Sequence, residues 1–169
     1  CYYLYMVRKN HSKDDVTMEE KELQTCIYLI GGGNLYFADR AIELAQRHRN
    51  YEKELEKAIR TGEKIELQKY INWIKERYLG WYEVGGIWFN WIDEAKKLAD
   101  KHLEHKDELK ESIRIGGEIR LPKYISWIEA GELSNSSLID KIKTLVYEYF
   151  PEYQEELERA IRICKEKKN

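Results

Sequence analysis

Proline is nearly missing from this chain, with two residues in 169. That scarcity of backbone breakers excludes a turn-rich all-β design and leaves long helices as the default expectation. Cysteine is sparse too. Cys1, Cys26 and Cys164 lie far apart with no CxxC pair, which excludes a disulfide framework and a thiolate zinc site and fits a reducing, cytoplasmic setting. No apolar run approaches the roughly 20 residues of a membrane-spanning helix, so no membrane partner is expected. Neither charge sign dominates: 29 Lys and Arg stand against 31 Asp and Glu, a net charge of −2. A phosphate-neutralising surface needs a basic excess, so nucleic acid ranks behind protein as a partner. HExxH, a nucleophile elbow and a paired-acid motif are all missing. No cofactor, metal or catalytic residue is assigned, and the reading leans away from an enzyme.

What remains is 43% hydrophobic and 36% charged residues, the balance of a globular protein with a heavily charged exterior. The abundance of Lys, Glu, Ile and Tyr with little Gln is thermophile-like. The chain also contains its own copy. Tyr28–Trp81 aligns without a gap on Tyr82–Asn135, with about 21 of 54 positions identical, far beyond chance and diagnostic of duplication. Ser136 onward matches the start of a unit, and EELERAIR at Glu155–Arg162 echoes KELEKAIR at Lys53–Arg60. Residues 1–27 read as the end of a preceding unit. The expectation is one all-α domain of tandem three-helix repeats, each about 54 residues: partial unit 1–27, full units 28–81 and 82–135, partial unit 136–169.

In the first unit, helices are predicted over Asn34–His48, Asn50–Arg60 and Leu67–Val84, with Gly62 stopping the second. The equivalents in the second unit are Trp88–His102, His105–Ile115 and Leu121–Ala130, with Pro122 near a first helical position. Ser136–Phe150 and Tyr153–Lys165 follow, and Met18–Ile30 precedes, for eight or nine helices in all. Ser136 or Ser137 is the expected cap of the helix they begin. Cys1–Arg8 (CYYLYMVR) opens abruptly on an apolar stretch. It is expected to be a piece that begins inside a repeat, rather than a lipid-bearing terminus, and it offers a self-association edge.

Gly31–Gly33 superficially suggests a phosphate loop, but GxGxxG spacing and the P-loop Lys-Ser/Thr are missing, and a tight interhelical turn explains it better. His102 and His105 are three apart, yet no cysteine lies near and a metal site is not expected. Aromatics crowd Tyr70–Trp91. Trp73 recurs as Trp127, which favours packing, whereas Trp81 and Trp88 have no aromatic counterpart and are the better ligand-facing candidates. Among polar positions, Asp39/Asp93, His48/His102, Lys69/Lys123, Glu54/Glu108/Glu156 and Arg60/Arg114/Arg162 recur. Helix-end electrostatics explains most of them.

The candidate binding set is therefore Trp81, Trp88, Arg60, Arg114, Lys69 and Lys123. The leading function is a non-enzymatic helical-repeat module presenting an aromatic and charged surface to a protein partner. The alternatives are a small all-α enzyme such as an RNA-processing nuclease using Arg/His residues, and a structural or viral self-assembly subunit.

Overall fold

The computed structural model describes residues 16–76 and 86–167. Among the described residues there are seven α-helices and no strands: α1 (Met18–Gly31), α2 (Ala38–Arg47), α3 (Glu52–Lys75), α4 (Ile87–Lys101), α5 (Lys106–Ala130), α6 (Ser136–Tyr149) and α7 (Gln154–Glu166). Single 3₁₀ turns precede α2, α3, α5 and α7. The chain divides into two compact units, Cys1–Ile65 and Glu66–Asn169, and the division falls inside the residue range of α3.

The expected three-helix unit is corrected. The middle and third helices of each unit are one helix, α3 and α5, and the total among the described residues is seven rather than eight or nine. Gly62 does not stop a helix; it lies inside α3. Pro122 is likewise in the interior of α5. The apolar stripe shows why the sequence divides α3 in two. At about 100° per residue, the buried positions Leu55, Ala58 and Gly62 share one face, whereas Leu67, Ile71 and Ile74 lie roughly 140° around the helix. A change of buried face imitates a helix break in a periodicity search.

Gly62 serves close approach instead. A Cβ there would sit 2.1 Å from the Ile30 carbonyl oxygen, so only glycine lets the end of α1 rest on α3. Gly116 in α5 has the same relation to the Ile74 carbonyl oxygen, also at 2.1 Å, and its neighbour Gly117 leaves room for the Phe150 ring.

In the first unit, α1 buries Leu23, Cys26, Ile27 and Ile30, an i, i+3, i+4, i+7 stripe, against Ala41, Leu44 and Ala45 of α2 and Leu55 and Ala58 of α3. Thr17 caps α1 in a reciprocal box with Glu20. The helix ends on the glycine run: Gly33 adopts φ 92°, and its N–H and that of Asn34 return to the carbonyls of Ile30 and Leu29 at 2.9 and 3.0 Å. Those bonds satisfy carbonyls orphaned at the helix end, so the run is a terminating turn. In the second unit, α5 is central and packs on α4, α6 and α7. Its core joins Leu67, Ile71 and Ile74 to Trp88, Ile92, Ile113, Tyr124, Val146 and Phe150. Asn135, rather than Ser136 or Ser137, caps α6 by accepting from the Leu138 N–H.

Three corners have nearly the same backbone. The residue closing α2, α4 and α6 is His48 (φ −126°, ψ 68°), His102 (φ −128°, ψ 71°) and Phe150 (φ −138°, ψ 57°), and each is followed by one 3₁₀ turn and the next helix.

Candidate functional site

The least buried tryptophan described is Trp73, 40% exposed near the end of α3. Tyr70 lies one turn earlier on the same face, and its ring meets Trp73 edge-on with centroids 5.6 Å apart. The half-buried Trp91 of α4 faces Trp73 at 5.4 Å, tilted by 42°. Two i,i+3 ion pairs border these rings, Lys69 to Glu66 at 3.2 Å on α3 and Lys97 to Glu94 at 2.6 Å on α4. Burial, then the carboxylates of Glu66 and Glu94, push the Tyr70 hydroxyl up from its ordinary value. The result is an aromatic strip of rings set edge-on and tilted to one another, with a polar rim of both signs, which can bury a partner's apolar side chain and orient it by charge. It holds no nucleophile–base pair.

The sequence-predicted residues distribute unevenly around this strip. Trp81 lies outside the described residues. Trp88 is corrected: it is fully buried and cannot face a ligand. Its indole N–H donates to the Ile74 carbonyl at 3.0 Å, satisfying a carbonyl near the end of α3. Lys69 sits on the border of the strip through its pair with Glu66. Lys123 is exposed on α5, and Arg60 is exposed on α3. Neither Arg60 nor Arg114 is in a last turn, because α3 and α5 continue past them, so helix-end electrostatics does not explain their recurrence. Arg114 donates to the Tyr149 carbonyl at 2.7 Å and to Glu152 at 3.2 Å, and lies over the Phe150 ring. It ties α5 to the α6–α7 corner. Asp93 is outside the first turn of α4 and pairs with Lys141 at 3.3 Å. Asp39 and the recurring Glu54, Glu108 and Glu156 do stand in first turns, where a carboxylate meets the positive helix end.

Sequence reasoning missed two features. Recurrence points Trp73 to packing, yet it falls beside the buried Leu67–Ile71–Ile74 stripe rather than on it; a helical wheel of α3's second half carries that signal. Arg120 is 2% exposed, donates to the carbonyls of Gly116 and Glu76 at 3.2 and 3.1 Å, and lies 5.1 Å over the Trp88 ring. No periodicity distinguishes it from a solvated arginine.

No protein-family model, curated protein or solved structure matches the chain. Among the described residues no group of three or more His, Cys, Asp or Glu could hold a metal, and no helix is long and apolar enough to cross a membrane. The described grooves are open and shallow, and none is lined by His48, His102, Arg60 or Arg114.

Proposed function

We propose that this chain is a non-enzymatic tandem helical-repeat module that binds a protein partner through the Tyr70–Trp73–Trp91 strip and the charged rim that includes Lys69. The observation that carries the reading is the partly exposed Trp73–Trp91 pair, since tryptophan is enriched among the residues that dominate protein-interface energetics. Three corners of matching backbone geometry at positions that align in the sequence duplication support the repeat organisation. The unit has a shorter and a longer helix joined through a 3₁₀ corner. The charge balance favours protein over nucleic acid.

The test is capture of protein from nuclease-treated extract by the immobilised chain and by its Trp73→Ala variant, followed by titration of the captured protein. Loss of a hot-spot tryptophan costs about 2 kcal/mol, so affinity is expected to fall about 30-fold. A partner held equally well by both chains refutes the assignment of the strip. Binding only to mixed RNA or DNA, weakening steeply with salt, refutes the choice of protein.

A further inference from the structure

The two most exposed large apolar side chains described are Met18 (88%) and Tyr36 (89%), and both border one groove of 870 Å³ on the first unit. Its apolar lining comes from Met18 and Leu29 of α1 and from Tyr36 and Phe37 in the 3₁₀ turn before α2, with Thr25 and the nearly buried Cys26 between them. Tyr36 and Phe37 meet edge-on, centroids 5.4 Å apart, while the Tyr36 ring stands out from the surface. The patch thus presents both a depression and protruding side chains.

Charge narrows the occupant. Lys21 and Glu22 border the groove from α1, Asp39 and Arg40 from α2: two cations and two anions. Arg40 and Glu22 are already joined at 2.8 Å, which leaves Lys21 and Asp39, one of each sign, for contacts across an interface. A two-fold interface sets a patch against itself, so a patch of one sign would repel its copy, whereas one carrying both signs can pair each cation with an anion of the other molecule. Protruding Met18 and Tyr36 beside their own groove satisfy the same condition sterically. We infer that the α1–α2 face of the first unit is a self-association surface whose occupant is a second copy of this chain. It uses none of the residues of the aromatic strip and stands whether or not that strip binds a partner.

Size sets the strength. Met18–Leu29 spans about 17 Å of helix at 1.5 Å per residue, and two helices side by side are about 20 Å wide. Even with corrugation, such a footprint falls below the ~800 Å² per partner of a standard stable interface. A footprint of that size belongs with weak, transient association rather than a permanent dimer. Sedimentation equilibrium on the full chain from micromolar to millimolar concentration tests it, alongside Tyr36→Glu, Met18→Lys and the control Leu103→Glu at an exposed position of the second unit, with circular dichroism verifying that each folds. The expected result is a concentration-dependent monomer–dimer equilibrium, weakened at least tenfold by either groove variant and unchanged by the control. A monomer at every concentration overturns the inference. So does self-association that survives Tyr36→Glu, including association carried by Cys1–Arg8.

Discussion

Gly116→Ala adds one methyl group at a point where none fits. The new Cβ would sit 2.1 Å from the Ile74 carbonyl oxygen and 3.2 Å from Trp88 Cζ2. A carbon and a carbonyl oxygen normally meet no closer than about 3.3 Å, so α5 and the end of α3 must separate by roughly 1.2 Å. The obstructing atom is backbone and cannot rotate aside. Overpacking of this kind costs about 1–3 kcal/mol. The same carbonyl accepts the Trp88 indole N–H at 3.0 Å, and stretching that buried bond strands a donor at a further cost of about 1–3 kcal/mol. Against this, alanine is the better helix former by about 1 kcal/mol. The net expectation is a loss of about 3 kcal/mol, which at a urea slope of about 1–3 kcal/mol per molar lowers the midpoint by about 1–3 M. Far-ultraviolet dichroism and tryptophan emission during urea titration measure it. Gly62→Ala meets an equal 2.1 Å obstruction at Ile30, but that carbonyl is bonded by the Gly33 N–H at 2.9 Å within the same turn. The bond moves with the helix end, so the loss there is smaller, about 1–2 kcal/mol. A midpoint for Gly116→Ala at or above that of the parent chain refutes the close-approach account of both glycines.

Arg120→Met removes two charge-assisted bonds to the carbonyls of Gly116 and Glu76; a loss of about 2–4 kcal/mol is expected in urea titration, and unchanged stability would show that the guanidinium does not secure the end of α3. Trp88→Phe swaps the buried indole for a smaller ring and deletes the donor to Ile74; the cavity and the unmet carbonyl together should cost about 2–4 kcal/mol by the same measurement. Asn135→Ala removes the cap of α6 and should lower stability by about 1 kcal/mol; a smaller change than the scatter between replicates would deny the cap its role. On the acid side, the hydrogen bond from Arg40 holds the Glu22 carboxyl below its ordinary value of 4.5. A carboxyl depressed on folding contributes stability above its unfolded value and loses it as pH falls through the lower folded value. Thermal midpoints of the parent chain should therefore fall more steeply below pH 4.5 than those of Glu22→Gln, and parallel curves would contradict the pairing.

The helical class, the ends of α1 and α7 and the turn at the glycine run are legible because each depends on local chemistry: scarce proline, a stripe of one phase, a glycine run without phosphate-loop spacing. The lengths of α3 and α5 are not. Gly62 is followed by Glu63–Leu67, a strongly helix-forming run, so local propensity pointed to continuation, while the shift of the apolar stripe pointed to a break. A glycine that ends a helix needs a positive φ at or just beyond it, and the positive-φ glycines described are Gly33, Gly86 and Gly131. Close approach by another helix is a tertiary fact, and no local pattern announces it. The aromatic strip was half legible: composition located the rings within a short stretch, but recurrence steered Trp73 inward and divergence steered Trp88 outward, the reverse of where they lie.

That reversal has a physical cause bearing on how duplicated chains diverge. Trp88 has no aromatic counterpart at Asn34, and the two positions follow helix ends that are closed differently. After α1, the glycine turn returns its own backbone N–H groups to the carbonyls of Ile30 and Leu29. At the end of α3, the Ile74 and Glu76 carbonyls are met by side chains from elsewhere in the second unit, the Trp88 indole and the Arg120 guanidinium. Arg120 aligns with Glu66 in the first copy, so both of these side-chain donors are particular to the second. A buried carbonyl must find a donor somewhere, and where the backbone supplies one, the aligned side chains are free to change. A large or charged residue unique to one copy can therefore mark a substituted helix cap as readily as a binding surface. The difference is decided by whether the helix end that meets the matching glycine in the other copy already closes its own hydrogen bonds.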